Sequence, residues 1–292
     1  MSGMRWNRLK SEKERKRRIS FQRGTQLIAA ALMNGYVVGF VNGRLFAGKS
    51  KTICVPGLNC YSCPGAFGAC PLGALQTALG AKREFPFYVL GCMTLFGVFL
   101  GRLVCGFLCP FGLVQDLLHK IPVPKWQVRG KLDRAARYLK YVVLLAAVIL
   151  LPAFLADETG LGPPYFCEYI CPAGTLEGGI PQMIANPQLR QLAGALFDWK
   201  VAVLAAILIW SMVLPRPFCR YLCPLGAFYS LFNKCGFYQM RVDQAKCVDC
   251  KKCEQTCPMG VEVTKNINSP ECIRCGQCRD ACSVNAIKRE FR

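Results

Sequence analysis

The C-terminal part of the chain carries eight cysteines with the spacing of iron–sulfur ligands. A run of the form Cys-x-x-Cys-x-x-Cys-x-x-x-Cys occurs there twice, and every cysteine of the second run lies 25 residues after its counterpart in the first. In such a pair of runs, three thiolates of one run and the last thiolate of the other surround each [4Fe–4S] cluster. The spacing therefore predicts two clusters. The first would be held by Cys247, Cys250, Cys253 and Cys282, and the second by Cys257, Cys272, Cys275 and Cys278.

Residues 237–292 are predicted to form one α+β domain around these clusters, of the bacterial two-cluster ferredoxin type. We expect short strands at Phe237–Val242 and Ala286–Phe291, with a middle pair of strands from Val261–Ile267. Structural zinc is a poor alternative, because it takes four ligands in two pairs rather than two runs of four. The domain shows no general base, nucleophile or nucleotide-binding loop, so the chemistry expected of it is electron transfer.

The pattern Cys-x-x-x-Cys-Pro-x-Gly occurs at three further cysteine pairs, of which one is Cys167 and Cys171 and the other two are related by a longer repeat. Cys105 and Cys109 form one pair, and Cys219 and Cys223 form the other, 114 residues later. The cysteines of a pair lie one helical turn apart and the proline ends that turn, so both thiolates face one point. We call these four residues the inner cysteine group. Their number suits a third iron–sulfur centre, whereas free buried thiols and a disulfide are the alternatives.

A second set of five cysteines forms what we call the outer cysteine group. Its members are Cys60, Cys63, Cys70, Cys167 and Cys171. Three of them precede a proline, as in the inner group. Five thiols exceed the needs of one cluster, and on the oxidising side of a membrane disulfides compete with metal binding. The sequence therefore leaves open a fourth iron–sulfur centre, disulfides and thiol chemistry at this place.

A few polar residues beside these groups are candidates for accepting protons from a quinol. His119 is the only histidine of the chain, and the ordinary pKa of this side chain lies close to neutrality. Asp116 lies two helical turns beyond Cys109, and Glu168 and Glu177 accompany the outer cysteines. The alternatives are a polar anchor at the membrane edge for the histidine and solvated loop residues for the acids. These residues are candidates only, and the sequence assigns no residue to a quinone-binding site.

Four apolar segments must position the cysteines. They lie near Leu27–Val41, Phe85–Val104, Tyr138–Ala156 and Leu196–Leu214, and the last three approach the ~20 residues that a membrane-spanning helix needs. The chain is 53% hydrophobic yet has a net charge of +20, so apolar and basic residues must be segregated. With the N-terminus inside, nine, seven and thirteen of the 37 Lys and Arg residues fall in the inner segments 1–24, 105–140 and 215–292, as the positive-inside rule requires.

We expect an α-helical membrane protein with four transmembrane helices in a two-fold internal repeat, in the prokaryotic inner (cytoplasmic) membrane. Residues 1–24 would form a basic cytoplasmic N-terminus, 25–236 the membrane domain and 237–292 a cytoplasmic ferredoxin domain. A twin-arginine export signal at Arg17-Arg18 is a weaker interpretation, because no small-residue cleavage site follows the apolar run. Basic charge on so apolar a chain indicates membrane lipid as a partner and no nucleic acid.

In combination, these motifs resemble a known family. Four apolar segments, two Cys-x-x-x-Cys-Pro motifs at Cys105 and Cys219, and the double ferredoxin run are similar to those of NapH-type membrane ferredoxins of periplasmic nitrate reductase systems. The membrane part of NosR-type regulators of nitrous oxide respiration is similar as well. The resemblance implies a polyferredoxin that forms the membrane component of a quinol dehydrogenase. The outer cysteines depart from the family pattern, which argues against nitrate reductase itself as the partner.

Three functions follow from the sequence and its resemblance. The leading one is a membrane-embedded electron relay between the quinone pool and other redox subunits or a soluble electron carrier. Its cofactors would be two [4Fe–4S] clusters and one or two further iron–sulfur centres. Direct oxidation of quinol by this chain is the second. The third is a thiol/disulfide redox sensor or an assembly factor of a respiratory system, in which the outer thiols would switch state.

Overall fold

A computed structural model gives the fold for residues 19–291, except 82–84, 127, 129, 156–161 and 192. Most of the predicted basic N-terminus, including Arg17-Arg18, lies outside the described residues, as does the end of the third apolar segment. The described part consists of a helical domain followed by a small C-terminal domain, residues 237–291, that contains the strands.

The helical domain is built from helices that are mostly short and joined by tight turns. Six of them begin at a proline, which suits the first helical position because its missing N–H needs no partner there. In chain order they are 19–33, Val37–Asn42, Lys49–Thr52, Pro71–Gly80, Phe87–Leu100, Leu103–Phe107, Pro110–Leu118, Lys131–Phe154 (π-helical over Leu144–Leu150), Phe166–Ile170, Pro172–Gly174, Thr175–Gly179, Ile180–Ala185, Pro187–Gln191, Ala195–Val213, Pro217–Tyr221 and Pro224–Leu231.

Two helices of the described part are long and apolar enough to cross a membrane. Lys131–Phe154 has 24 residues and Ala195–Val213 has 19, and both have a mean hydropathy of 1.8. Only 28% and 17% of their most apolar windows are buried inside the protein. Most of this apolar surface therefore faces outwards, which is unusual for a soluble protein and suits contact with lipid. These helices correspond to the third and fourth predicted segments.

The first predicted apolar segment is interrupted. The helix over residues 19–33 ends before a turn at residues 34–36, and a second short helix, Val37–Asn42, follows. Gly39 of this second helix packs so closely that a Cβ there would lie 2.5 Å from the carbonyl oxygen of Pro64. The glycines that weaken this segment as a spanning helix therefore let it pack against the loop that follows.

The second predicted segment is a shorter helix than expected. Phe87–Leu100 has 14 residues and ends at Gly101, whose φ of +52° lies in the left-handed region that glycine tolerates. The chain then starts a new helix, Leu103–Phe107, that carries Cys105. An apolar count does not register the change of direction at a glycine, which is why the sequence predicted one continuous segment.

The C-terminal domain contains two antiparallel strands that join its ends. Strand β1, Tyr238–Val242, pairs with β2, Ile287–Phe291, and Tyr238 lies opposite Phe291. The prediction of these two flanking strands is confirmed. The predicted middle pair at Val261–Ile267 is wrong, because that stretch folds into consecutive turns. Two short helices, Lys252–Thr256 and Gln277–Ala281, complete the domain.

A buried carboxylate ties the start of the long helix Lys131–Phe154 to the second inner cysteine motif. Asp133 accepts hydrogen bonds from Arg137 at 2.7 Å, from Arg220 at 2.6 Å and from the Tyr221 hydroxyl at 2.6 Å. Burial alone would raise the pKa of Asp133, but the hydrogen bonds from Tyr221, Arg220 and Arg137 hold it below its ordinary value. The ionised carboxylate therefore stabilises the folded protein.

Replacing Asp133 by asparagine is expected to destabilise the protein by about 3–5 kcal/mol at neutral pH, because Arg220 would stay buried without its charged partner. The stabilisation is present at neutral pH and is lost as the pH falls through the native pKa, which lies below 3.8. Chemical denaturation of the detergent-solubilised protein would measure the difference.

A matched control for this variant is Glu262→Gln. Glu262 pairs with Arg134 and Lys265 on the surface, where its side chain is 50% exposed. Its replacement should cost less than about 1 kcal/mol, since exposed ion pairs contribute little. Equal losses in the two variants would contradict the buried role of Asp133.

Candidate metal centres

Two small cavities in the C-terminal domain are each lined by four cysteines. We call the two sets the first and the second tetrad. The first consists of Cys247, Cys250, Cys253 and Cys282, and the second of Cys257, Cys272, Cys275 and Cys278. The structure thus brings together the two interleaved sets that the spacing predicts. Among the described residues, no group of three or more His, Cys, Asp or Glu side chains is placed to hold a single metal ion.

The loops around both cavities repeat an unusual backbone conformation. Asp249 and Lys251 have φ values of +47° and +55°, and their counterparts 25 residues later, Arg274 and Gly276, have +54° and +81°. Residues other than glycine rarely adopt such values and do so where the surrounding structure requires it. Here the left-handed turns wrap the chain around the cysteine sulfurs. The sequence duplication is therefore also a duplication of backbone shape.

The last cysteine of each run receives a backbone hydrogen bond. The N–H of Val261 donates to Cys257 Sγ at 3.4 Å, and the N–H of Ala286 donates to Cys282 Sγ at 3.3 Å. Such bonds favour a sulfur that carries negative charge, as a metal-bound thiolate does. Four thiols, aliphatic walls and N–H donors are the features that a [4Fe–4S] cluster requires.

The four cysteines of the inner group are buried and lie next to one another. Their side chains belong to the core of the helical domain, with relative exposures of 3–7%. Burial raises the pKa of Cys223, and the nearby thiols Cys219, Cys105 and Cys109 raise it further. The N–H of Gly226 donates to Cys223 Sγ at 3.3 Å. The predicted quartet is thus assembled from both halves of the chain.

The Pro and Gly of the motif have separate structural roles in the inner group. Cys109 and Cys223 have extended backbones, and each is followed by a helix that begins at the proline. The glycine then lies against the first cysteine of its own pair. A Cβ at Gly112 would lie 3.1 Å from the Cys105 carbonyl oxygen, and one at Gly226 would lie 3.5 Å from that of Cys219. The proline starts the helix and the glycine lets it pack against the first cysteine.

Two buried arginines cross between the halves of the inner group. Arg102 and Arg216 each precede the first cysteine of a pair by three residues. Nη2 of Arg102 donates to the Cys219 carbonyl at 2.9 Å, and Nη1 of Arg216 donates to the Cys105 carbonyl at 2.6 Å. Our sequence analysis missed these residues, although the 114-residue spacing that relates the cysteine pairs also relates the arginines.

Glutamine side chains donate to one sulfur in each group. Nε2 of Gln115 lies 3.1 Å from Cys219 Sγ in the inner group, and Nε2 of Gln76 lies 3.2 Å from Cys167 Sγ in the outer group. Each glutamine is the sixth residue after a Cys-Pro cysteine. This equivalence was visible in the sequence and indicates that the two groups are built on a common local plan.

The cysteines of the outer group also come together. A Cβ at Gly174 would lie 3.7 Å from Cys60 Sγ and 3.9 Å from Cys171 Sγ, so both sulfurs lie beside this glycine. Burial raises the pKa of Cys171, and the thiols Cys167, Cys60 and Cys70 add to the shift. Burial raises the pKa of the fifth member, Cys63, to about 11. All 20 cysteines lie within the described residues and are free thiols.

The inner and outer groups are separated by only a short loop. A Cβ at Gly57 would lie 3.2 Å from Cys109 Cα. Two residues later, the carbonyl of Asn59 accepts the N–H of Cys70 at 3.0 Å. The loop expected on the far side of the membrane therefore folds back into the helical domain. It brings the outer group next to the inner one.

The second tetrad is the one that contacts the inner group. Gly106, which follows Cys105, packs on the carbonyl of Ile273, and a Cβ there would lie 2.7 Å from that oxygen. Nδ2 of Asn233 donates to the Cys272 carbonyl at 2.8 Å. In the first tetrad, by contrast, Cys250 is exposed at the surface. The contacts therefore run from the second tetrad to the inner group and then to the outer group, and the first tetrad reaches the protein surface.

Comparison with known families supports the assignment of these motifs. A family model described as a 4Fe-4S binding domain matches residues 85–129, 141–180 and 197–242, and each stretch contains one Cys-x-x-x-Cys-Pro motif. A 4Fe-4S dicluster domain matches residues 239–283. The two models together cover the Cys-x-x-x-Cys-Pro motifs that begin at Cys105, Cys167 and Cys219, and all eight cysteines of the C-terminal domain.

Individual relatives extend the match over most of the chain. The methylamine utilization ferredoxin-type protein MauN of Paracoccus denitrificans is 30% identical over 78% of this chain and 71% of its own length. An uncharacterized protein of Methanocaldococcus jannaschii is 33% identical over 64% of this chain and 71% of its own length. The regulatory protein NosR of Pseudomonas aeruginosa is 29% identical over 52% of this chain, which is 19% of NosR. No solved structure matches the chain.

The chain belongs to the NosR/NapH-type polyferredoxins. The predicted resemblance is confirmed. The protein is a ferredoxin-type electron-transport protein with 4Fe-4S binding domains, related to NosR, NirI and MauN.

The polar candidates for a quinone contact lie in different surroundings in this polyferredoxin. Both carboxylate oxygens of Asp116 bind Arg216, so this acid is already paired. His119 follows the helix Pro110–Leu118, and burial together with Lys125 lowers its pKa. Glu168 lies in the π-helical turn Phe166–Ile170. The structure does not bring these three residues to one place.

Glu177 is the acid that the structure places against the outer group. It accepts the N–H of Cys60 at 2.9 Å, and burial raises its pKa to about 7. It is the sixth residue after Cys171, so it takes the position that Gln76 has after Cys70. The sequence marked Glu177 as an acid near the outer cysteines, but only the structure shows its burial.

The docking of the C-terminal domain can be tested at a single glycine. Gly106→Ala is expected to cost about 1–3 kcal/mol, because the new Cβ meets the backbone of Ile273 and no flexible side chain can give way. Limited proteolysis should release the C-terminal domain faster from this variant. Gly91→Ala is the control, since nothing lies within 4 Å of its Cβ position. Equal proteolysis of both variants would contradict the contact.

Proposed function

We propose that this polyferredoxin is a membrane-embedded iron–sulfur relay that carries electrons between the quinone pool and a redox partner. Iron–sulfur clusters supply one-electron carriers whose potentials depend on burial and on hydrogen bonds to the sulfurs. The chain itself would supply the thiolates, the apolar surroundings and the N–H donors. The partner would be another redox subunit or a soluble electron carrier, and it would reach the exposed first tetrad.

Four cysteine groups would hold the clusters. The first and second tetrads would each bind one [4Fe–4S] cluster. The inner group offers four buried thiols for a further centre, and the outer group offers five for a fourth. The N–H and amide donors at Cys223, Cys219 and Cys167 support the two proposals for the helical domain, because such donors favour charged sulfur.

One observation carries the proposal: the second tetrad, the inner group and the outer group lie in an unbroken series of contacts. The docked second tetrad contacts the inner group at Gly106, and the inner group contacts the outer group through the loop that begins at Gly57. The first contact joins the residues that follow Cys105 and Cys272, and the second joins Cys109 to a residue three positions before Cys60. A sensor of thiol state would need accessible outer thiols but no such series. The continuity therefore favours electron transfer through the domain.

The proposed topology has four membrane-spanning segments, with both termini and the C-terminal domain in the cytoplasm. Two long outward-facing apolar helices support it, and so does the distribution of basic residues. The two-fold repeat is supported by the reciprocal contacts of Arg102 and Arg216. Broken helices such as 19–33 followed by Val37–Asn42 are tolerated at membrane depth where they pack against protein.

The cluster content of anaerobically purified protein tests this proposal. We expect more than about eight iron atoms and as many sulfides per chain, the number that two [4Fe–4S] clusters contain. A content that matches only the two C-terminal clusters would refute the centres in the helical domain. An absence of iron from the anaerobic protein would refute the relay altogether.

Cys223→Ser is expected to lose the inner centre and to stop electron transfer from the C-terminal domain to a quinone analogue. The C-terminal clusters should keep their electron paramagnetic resonance signals, because Cys223 belongs to neither tetrad. Cys235→Ser is the matched control, since Cys235 is exposed and belongs to none of the four groups. Unchanged turnover in Cys223→Ser would contradict the role of the inner group.

A further inference from the structure

Arg102 and Arg216 are equivalent in sequence and equivalent in their contact with the inner group. Both side chains are fully buried, and each donates to the carbonyl of the first cysteine of the opposite pair. Any effect of these arginines on the inner group itself should therefore be shared. A difference between them must come from their remaining contacts.

Their remaining hydrogen bonds go to different domains. Arg216 uses Nε and Nη2 to bind Asp116, which belongs to the helical domain. Nη1 of Arg102 instead donates to the Pro270 carbonyl at 2.8 Å and to Glu271 Oε2 at 3.0 Å. Pro270 and Glu271 immediately precede Cys272 of the second tetrad. Arg102 thus donates hydrogen bonds across the junction between the domains. Arg216 lies close enough to Cys275 of the second tetrad to interact with it electrostatically, but its hydrogen bonds to described residues stay within the helical domain.

Glu271 is the acceptor that makes this junction ionic. It is buried, and its second oxygen binds Lys140 of the long helix Lys131–Phe154. One carboxylate of the C-terminal domain is therefore enclosed by two cations of the helical domain. A buried charge of this kind is stable only while its partners are in place, because removing it from water is costly without them.

Asn233 adds a second connection from Arg102 to the same tetrad. Its Oδ1 accepts the backbone N–H of Arg102 at 3.1 Å. Its Nδ2 donates to the carbonyls of Ser269, at 3.0 Å, and of Cys272, at 2.8 Å. A chain of hydrogen bonds therefore leads from Cys272 through Asn233 and Arg102 to the Cys219 carbonyl.

We propose that Arg102 is the positioning residue that seats the second tetrad on the inner cysteine group, and that its sequence counterpart Arg216 is not. The seat consists of Arg102, Glu271, Lys140 and Asn233. It gives the C-terminal domain one docking orientation, with the second tetrad towards the membrane domain and the first tetrad free for a partner. The docking role of Arg102 does not depend on the proposed relay. Only the purpose of the seat, which is electron exchange across this junction, rests on that proposal.

Hydrogen exchange of the full-length, cluster-loaded protein tests the seat directly. Arg102→Gln and Glu271→Gln should each accelerate amide exchange in residues 268–276 by about tenfold or more, equivalent to about 1.4 kcal/mol. Arg216→Gln removes the same kind of contact with the inner group, but exchange in this segment should stay close to that of the wild type, because the hydrogen bonds of Arg216 go to Asp116 and Cys105 and not to residues 268–276. Glu271→Gln guards against misfolding of the arginine variant, because it keeps the contact between Arg102 and Cys219.

Two results would overturn the seat: equal acceleration in the two arginine variants, or wild-type exchange in both Arg102→Gln and Glu271→Gln. Hydrogen exchange is the first arm of the test. In the second arm, electron exchange between the second tetrad and the inner group is followed by freeze-quench electron paramagnetic resonance after reduction with dithionite. Glu271→Gln should slow the appearance of the reduced inner centre by about tenfold, whereas the surface variant Glu262→Gln should not. Slowing to the same extent in both would also refute the proposal.

The two arms separate this inference from the relay itself. If the wild type shows no inner iron centre, the relay fails. A selective acceleration of exchange in Arg102→Gln would then still support the seat. If the inner centre is present but residues 268–276 exchange at the same rate in Arg102→Gln and in the wild type, the seat is refuted and the relay is not.

Discussion

The backbone conformation of the cysteine that precedes each new helix or turn is the constraint on which the rest of the structure depends. Six cysteines share it, with φ between −61° and −80° and ψ between 107° and 129°. They are Cys70, Cys109, Cys171, Cys223, Cys257 and Cys282. A following proline favours this extended state by disfavouring the helical one. Cys282, which precedes Ser283, adopts it without a proline, so the fold around the tetrad also imposes it.

The buried cysteines of the apolar helical domain are contacted by polar groups from other parts of the chain. Backbone N–H groups and the amides of Gln76 and Gln115 contact the sulfurs, while Arg102 and Arg216 contact cysteine carbonyls. The arginines stay charged in the interior because each is paired with a carboxylate. A cationic frame thus surrounds the inner group, whereas the outer group has the acid Glu177 beside it. The two groups therefore offer different electrostatic surroundings within one local plan.

Close backbone packing turns separate motifs into a series. Gly57, Gly106 and Gly112 each lie where a Cβ would come within 3.2 Å of a backbone atom of a neighbouring segment. No side chain could be accommodated there without displacing that segment. The glycines therefore bring the second tetrad, the inner group and the outer group together. The ionic contacts at Glu271 hold the C-terminal domain in one orientation on the helical domain.

The sequence by itself determined the cysteine sets, the flanking strands and the family, because ligand spacing and strand patterns depend on residues that are close together in the sequence. It also located the two long apolar helices. Only the tertiary structure decided that the outer loop folds back onto Cys109, that Asp116 is paired with Arg216, and that Arg102 rather than Arg216 donates hydrogen bonds to the C-terminal domain. These contacts join residues that lie 52, 100 and 169 positions apart in the sequence. They depend on which segments pack together, and no local pattern of residue types encodes that choice.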